Sequence, residues 1–395
     1  MLKAADALDA AGYAVHVVAT RHEPWAADAD VDVRSRRDWP LTIVNYCRGE
    51  RGSCYWPTGA EHRAARALAR AAGAGRVPQA IAARAFGRVH SALVRAILET
   101  PADLIYGGTT GALAAIAEAG RRSRTPYAVD LEDLHSAETL GADQGLVDAL
   151  AARIERTVLA GAAFATTSSE EIAAAYEAKY GAAPAVIHNT FPLPPRAPDF
   201  ARDAASPLRV YWFSQTIGPG RGLEQAVAAL GRAGIAAELT LLGRPHDGFL
   251  DALGGAARAQ APRVALVHRN PVPPDAMIDC ARGHDVGLAL DHGAPLNREL
   301  CITNKALTYI LAGVPVLMAD TRGQRALGLD LGRGAALVDP RDVGALAGAF
   351  SAWAGNAAAL DCAKRTAWSA AARRWHWEHD SERGVLYRLV DEALA

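Results

Sequence analysis

The chain has 395 residues, half of them hydrophobic and 22% charged, with a formal net charge of −1. That length suits two domains of similar size, the composition excludes a disordered chain, and the charge balance gives no global case for nucleic-acid binding. Five cysteines, odd in number and without CxxC spacing, speak against a disulfide framework or a zinc site and for a reducing cytoplasm.

The opening residues carry acids where a secretion signal needs bases, and no run approaches the roughly 18 apolar residues of a membrane span. A helix over Leu2–Ala11 leads to a strand at Val15–Ala19. A doubly wound domain normally starts with a strand and a glycine-rich turn before that helix, so either the chain start is truncated or the domain lacks its first strand. Further strands are expected at Leu104–Tyr106, Tyr127–Asp130, Ala163–Thr167 and Ala185–His188. A second series follows at Leu208–Phe213, Glu238–Leu242, Val264–Val267, Val286–Leu290 and Val314–Met318. Helical patterns lie between them, among them Glu61–Ala72, Gln79–Leu98, Leu223–Leu230 and Asn304–Leu311. This alternation implies an α/β fold with two parallel, doubly wound sheets, each covered on both faces and binding ligands at the strand C-termini. The proline-rich stretch from Thr190 to Pro198 and the polar residues to Ser206 mark a linker. The expected divisions are thus 1–190, a linker at 191–206, 207–365, and closing helices over 366–395.

Two segments carry the chemistry. A strand ends at Phe213, a loop with Gly218, Gly220 and Gly222 follows, and a helix opens near Arg221. Bare backbone amides, a helix N-terminus and a guanidinium suit an anion, although a plain turn with a solvated arginine has the same sequence. In the second segment Lys305 lies in the first turn of a helix, where the dipole disfavours a cation unless an anion compensates. A bound diphosphate and Glu299 are the competing compensators. Near the end of an earlier strand, Asp130, Glu132, Asp133 and His135 crowd together, in position either to bind hydroxyl groups or to cap a helix.

The pieces FSQTIGPGRGLEQAVAAL, ELTLLGRP, HRNPVPPDAM, DVGLAL and NKALTYILAGVPVL, in this order, resemble the C-terminal domain of glycosyltransferase family 4, which has the GT-B architecture. DLEDLHSAE, IERTVLAGAAFATTSSEEIAAAY, VIHNTFP and the terminal WEHDS resemble its other landmarks. The resemblance implies two Rossmann-like domains facing a central cleft, with the last helices crossing back to the first domain. It implies a retaining, hexosyltransferase-like enzyme that moves a sugar from a nucleoside diphosphate to a hydroxyl acceptor without a metal or other cofactor. Arg221 and Lys305 would hold the diphosphate, Gly218 and Gly220 would offer amides, and Gly243, Asn270 and Val272 would border the base. Asp130, Glu132, Asp133 and His135 would face the acceptor or the donor sugar. The family's two glutamates, seven residues apart, fall here on Leu300, with Glu299 adjacent, and on Thr308. Thr308 would replace a carboxylate that accepts ribose hydroxyls, at a cost of roughly 1.5–3 kcal/mol in donor binding. Glu299 would turn in to hold the sugar hydroxyls.

Nine arginines lie between residues 48 and 95. They read either as a solvated helical face or as a peripheral contact with the inner face of a membrane that carries a lipid-linked acceptor. Two rival readings of the whole chain stand beside the enzyme: a non-catalytic relative that binds nucleotide or glycan, and a sugar-nucleotide epimerase of the same fold. Donor, acceptor and oligomeric state are not readable.

Overall fold

The structure, a computed structural model, describes residues 1–24, 26–202 and 205–395. It divides into two compact units, one formed by Met1–Ile187 with Arg383–Ala395, the other by His188–Glu382.

The first unit opens with helix α1 (Leu2–Ala10), then β1 (Val17–Arg21), α2 (Ala26–Ser35), β2 (Leu41–Asn45), α3 (Tyr55–Ala72), α4 (Gln79–Phe86) and α5 (His90–Leu98). It continues with β3 (Ile105–Gly108), α6 (Leu113–Ser123), β4 (Tyr127–Asp130), α7 (Gln144–Leu159), β5 (Ala165–Thr167), α8 (Glu170–Tyr180) and β6 (Ala185–Val186). All pairings are parallel, but they form two sheets, β1–β2 and β3–β4–β5–β6. Among the described residues no strand pairs with the free edge of β1 or of β3. In a doubly wound sheet the opening strand takes the place between these two edges. Strand β2 was not expected, although LTIVN bounded by Pro40 carries a strand signal. The helix expected over Gln79–Leu98 is two helices. The chain breaks at Gly87, where a Cβ would stand 2.9 Å from the Gly111 carbonyl oxygen.

The second unit holds β7 (Leu208–Ile217), α9 (Leu223–Ala233), β8 (Ala237–Pro245), α10 (Phe249–Gln260), β9 (Val264–Arg269), α11 (Met277–Ala281), β10 (Val286–Ala289) and α12 (Leu296–Leu300). Next come α13 (Asn304–Leu311), β11 (Val316–Ala319), α14 (Arg322–Leu331), β12 (Ala335–Val338), α15 (Val343–Ala354) and α16 (Ala357–Arg373). Its six strands lie in the order β12-β11-β10-β7-β8-β9, all parallel. This is the Rossmann order, with the switch point between β7 and β10. Strand periodicity sends Leu208, Val210 and Trp212 into the layer of α9 and α15, and Tyr211 into the opposite layer with α13 and α16. Gly287 admits that second layer, because a Cβ there would fall 2.3 Å from the Tyr309 ring.

The stretch expected as a linker is packed on the second unit. Phe191 and Leu193 join its core, and Arg202 pairs with the buried Asp285 at 2.9 Å. The closing residues divide at 382. Ala367, Ala370, Ala371 and Trp375 belong to the second unit's core, whereas the last helix, α17 (Val385–Leu394), ties to α1 through Tyr387 Oη donating to the Ala7 carbonyl at 3.0 Å. The chain passes between units after Ile187 and after Glu382. Residues at the two crossings meet within the second unit, where the Glu382 carboxylate accepts from the His188 backbone N–H at 2.6 Å and lies 2.9 Å from its Nδ1.

Candidate active site

The switch point of the second unit gathers the charged groups. Strand β7 delivers the loop 218–222, in which Gly220 and Gly222 have φ of +71° and +78°. A Cβ at Gly222 would meet Leu290 Cβ at 2.5 Å, so only glycine lets the loop turn here into α9. Arg221 projects from this turn. The first residues beyond β10 bring Asp291, and α13 brings Lys305. Arg221 Nη1 donates to Asp291 Oδ1 at 3.0 Å, and Lys305 Nζ donates to Oδ2 at 2.8 Å.

Lys305 is only 7% exposed and Asp291 9%. Burial pushes the Asp291 carboxyl upward, but Lys305 and then Arg221 overcome it and hold the group below its usual range. Lys305 Nζ also lies 5.5 Å from the Trp212 ring. Arg298 reaches back from α12, its Nη1 donating to the Gly220 carbonyl at 3.4 Å. Two cations therefore share one carboxylate beside a glycine-rich loop and a helix N-terminus, a third lies against that loop, and positive charge is in excess.

Asp291 is the residue that the sequence reading missed. The sequence offered a bound diphosphate and Glu299 as the lysine's compensators; the Glu299 Oε1 accepts the Arg322 backbone N–H at 3.1 Å, at the start of α14. The available signal was an aspartate directly after a buried strand, DVGLALD. Thr308 is fully buried and its Oγ1 donates to the Asn304 carbonyl of its own helix at 2.9 Å, so the hydroxyl expected at the ribose is committed inside α13.

Gly218 is buried and Gly220 exposed at the mouth of the loop. Gly243 is buried in β8, its carbonyl 2.9 Å from His268 Nε2. Asn270 is exposed just past β9, and Val272 packs on the core layer that contains Leu242. All five belong to the edge at or beyond the strand C-termini.

In the first unit the acidic segment follows β4. Asp130 Oδ1 accepts from Thr166 Oγ1 at 2.9 Å, and the Asp133 carbonyl accepts from Tyr176 Oη at 3.0 Å. Glu132 has φ of +50°, its carbonyl held by Ser168 Oγ at 2.6 Å. Burial, reinforced by Asp130 and Asp133, pushes its carboxyl above the usual range. His135 is 3% exposed, its Nδ1 lies 3.1 Å from Glu138 Oε2 and 3.2 Å from Thr110 Oγ1, and its buried Nε2 has no hydrogen-bond partner among the described residues. Burial opposes charging this ring, but the Glu138 contact prevails and raises its pKa. Beneath it Glu155, fully buried, accepts from the Ser136 backbone N–H at 2.9 Å, from Tyr176 Oη at 3.0 Å and from Tyr180 Oη. These bonds fix the loop that carries His135. Asp130 and His135 thus make specific side-chain contacts, unlike the solvated capping charges that were the alternative.

Residues 1–190 match the family model described as a glycosyl transferase 4-like domain. No curated protein matches the chain by sequence. Among solved structures, Anabaena Alr3699/HepE in complex with UDP and glucose is 16% identical with a TM-score of 0.63, over 95% of this chain and 98% of that one. The lipopolysaccharide outer core galactosyltransferase WaaB, in its apo form, is 12% identical with a TM-score of 0.56, over 95% and 98%. A mutant of S. aureus TarM in complex with Fondaparinux, alpha-GlcNAc-glycerol and UDP is 11% identical with a TM-score of 0.61, over 77% and 58%. The chain therefore has the GT-B fold of these structures, and its first 190 residues match the glycosyl transferase 4-like model.

Proposed function

We propose that the protein is a glycosyltransferase that moves a sugar, a hexose in the first instance, from a nucleoside diphosphate to a hydroxyl acceptor with retention of configuration. The observation that carries this reading is the meeting of Arg221 and Lys305 on one carboxylate at the switch point. Asp291 holds both cations in place while leaving net positive charge. A diphosphate at the loop would meet preset donors and would need little reorganisation as the sugar–phosphate bond breaks. Arginine, lysine and backbone amides would then supply the charge stabilisation that a divalent cation supplies elsewhere. The leaving phosphate would take the acceptor proton, with Asp130, Glu132 and His135 binding sugar hydroxyls. HepE and TarM, whose structures hold UDP, support a uridine donor. The five cysteines are thiols, not disulfides, which supports a reducing cytoplasm.

Incubation with UDP-, GDP- and dTDP-sugars should release nucleotide for at least one donor. Arg221→Ala should lower that turnover about 100- to 1,000-fold, the loss of about 3–4 kcal/mol of transition-state stabilisation; wild-type turnover in this variant would remove the site assignment. The buried, committed Thr308 hydroxyl favours a second reading, a nucleotide-binding relative without turnover. Saturable nucleotide binding with no release from any donor would establish that reading instead.

A further inference from the structure

Two guanidinium groups of the first unit converge on one glycine. Gly59 is buried on α3, and a Cβ there would stand 3.0 Å from Arg88 Nη2 and 3.2 Å from Arg63 Nη1. The bare backbone admits both arginines, one from the next turn of α3 and one from the residue after Gly87. Like charges this close repel, yet the neighbouring acids are engaged elsewhere. Glu61 pairs with Arg84 at 2.7 Å, and Asp143 pairs with Arg70 at 2.8 Å and Arg66 at 3.4 Å. Among the described residues no carboxylate pairs with Arg63 or Arg88. Arg88 is fixed instead by Tyr55, its Cζ 4.2 Å from the ring centroid and its Nη2 donating to the Tyr55 carbonyl at 3.1 Å. His62 senses the same field. Burial lowers its pKa first, the Arg84 carbonyl opposes this, and Arg66, Arg88 and Arg63 lower it further.

The pair borders the acidic segment after β4. A Cβ at Gly87 would stand 2.9 Å from the Gly111 carbonyl oxygen, and the adjacent Thr110 Oγ1 donates to Glu138 Oε1 at 3.0 Å and lies 3.2 Å from His135 Nδ1. We infer that Arg63 and Arg88 seat a phosphate monoester carried by the hydroxyl acceptor. A phosphate monoester is close to dianionic at neutral pH and neutralises both cations, where a carboxylate neutralises one. Guanidinium groups also give it charge-assisted hydrogen bonds in a planar fork. Arg88, held against Tyr55, is a preset donor, and the exposed Arg63 closes on the group from the other side. That the phosphate belongs to an acceptor rests on the transferase reading; its binding here does not.

In calorimetric titrations the full-length protein should bind glucose 6-phosphate at least about ten-fold more tightly than glucose, with glucuronate between them. Saturation with glucose 6-phosphate should move the His62 imidazole titration upward by NMR, because the bound anion offsets the three arginines. Arg63→Gln, at an exposed position, should lose about ten-fold in affinity for glucose 6-phosphate and keep the wild-type melting temperature and nucleotide binding. Arg221→Ala should bind glucose 6-phosphate as the wild type does; a loss there would move the phosphate to the donor loop and overturn the inference. Equal affinity for glucose and glucose 6-phosphate, undiminished binding by Arg63→Gln, or an unmoved His62 titration would also overturn it. So would inorganic phosphate binding as tightly as glucose 6-phosphate, which would make this a site for the free ion. Absence of donor binding would count against the transferase reading alone, since none of these titrations involves a donor.

Discussion

At the residue scale, the donor site rests on a balance of buried charge. Lys305 is nearly buried, and Asp291 is the anion that makes this tolerable. Asp291→Ala should therefore lower stability by about 3–5 kcal/mol, the usual consequence of leaving one partner of a buried pair alone. Inorganic pyrophosphate supplies the missing negative charge, so it should raise the melting temperature of Asp291→Ala more than that of the wild type. An equal rise in both proteins would separate Asp291 from the anion site.

His135 and Glu138 make a second test. The histidine pKa is raised, against the opposing effect of burial, by Glu138, and the Glu138 pKa is lowered, again against burial, by His135. The histidine contribution is complete below its unfolded value near 6.5 and is lost as pH rises through the raised folded value. The glutamate contribution is present above about 4.5 and lost as pH falls through the lowered one. The pair should stabilise most between those reference values. Glu138→Gln should remove that hump from the stability–pH profile and shift the His135 imidazole titration downward by NMR; an unmoved titration would show that Glu138 does not govern the ring.

At the element scale, the turn into α9 is the demanding piece. Gly222 combines a positive φ with a Cβ position already taken by Leu290. Gly222→Ala should cost more than about 1 kcal/mol, since both backbone strain and a clash oppose it. It should also displace Arg221 and so weaken nucleotide binding, which calorimetry on a protein that still folds would detect. Unchanged affinity would mean that the loop does not aim Arg221. Periodicity made α9 and α13 legible, but it placed Thr308 by its alignment alone. The threonine's bond to Asn304 and its full burial follow from packing of α13 against the sheet, which no local pattern expresses. Likewise Gln79–Leu98 has a continuous helical pattern, and the break at Gly87 follows from the approach of Gly111, remote in sequence.

At the scale of the whole molecule, each unit has its own core. Asp285, fully buried, holds together the start of the second sheet, the incoming chain and α16, through Lys364 at 2.7 Å, the Arg209 backbone N–H at 2.9 Å and Arg202 at 2.9 Å. Burial works against its charge, but these partners keep its pKa low. Asp285→Ala should destabilise the second unit by about 3–5 kcal/mol. Hydrogen exchange should then accelerate across 208–319 and remain unchanged across 105–186; uniform acceleration over both would show that the units unfold as one.

The strand–helix alternation, the apolar runs of β7 to β11, the glycine-rich turn and the cationic pair were all written in local sequence, because backbone geometry and burial impose short-range periods and residue types. Tertiary structure alone decided that a strand-end aspartate would join Arg221 to Lys305, and that Phe191, Leu193 and Arg202 would pack on the second unit. It also brought Arg63 and Arg88 together over Gly59. Each of these depends on which distant surfaces meet, and a buried charge or a covered apolar face is defined only by its neighbours across the fold.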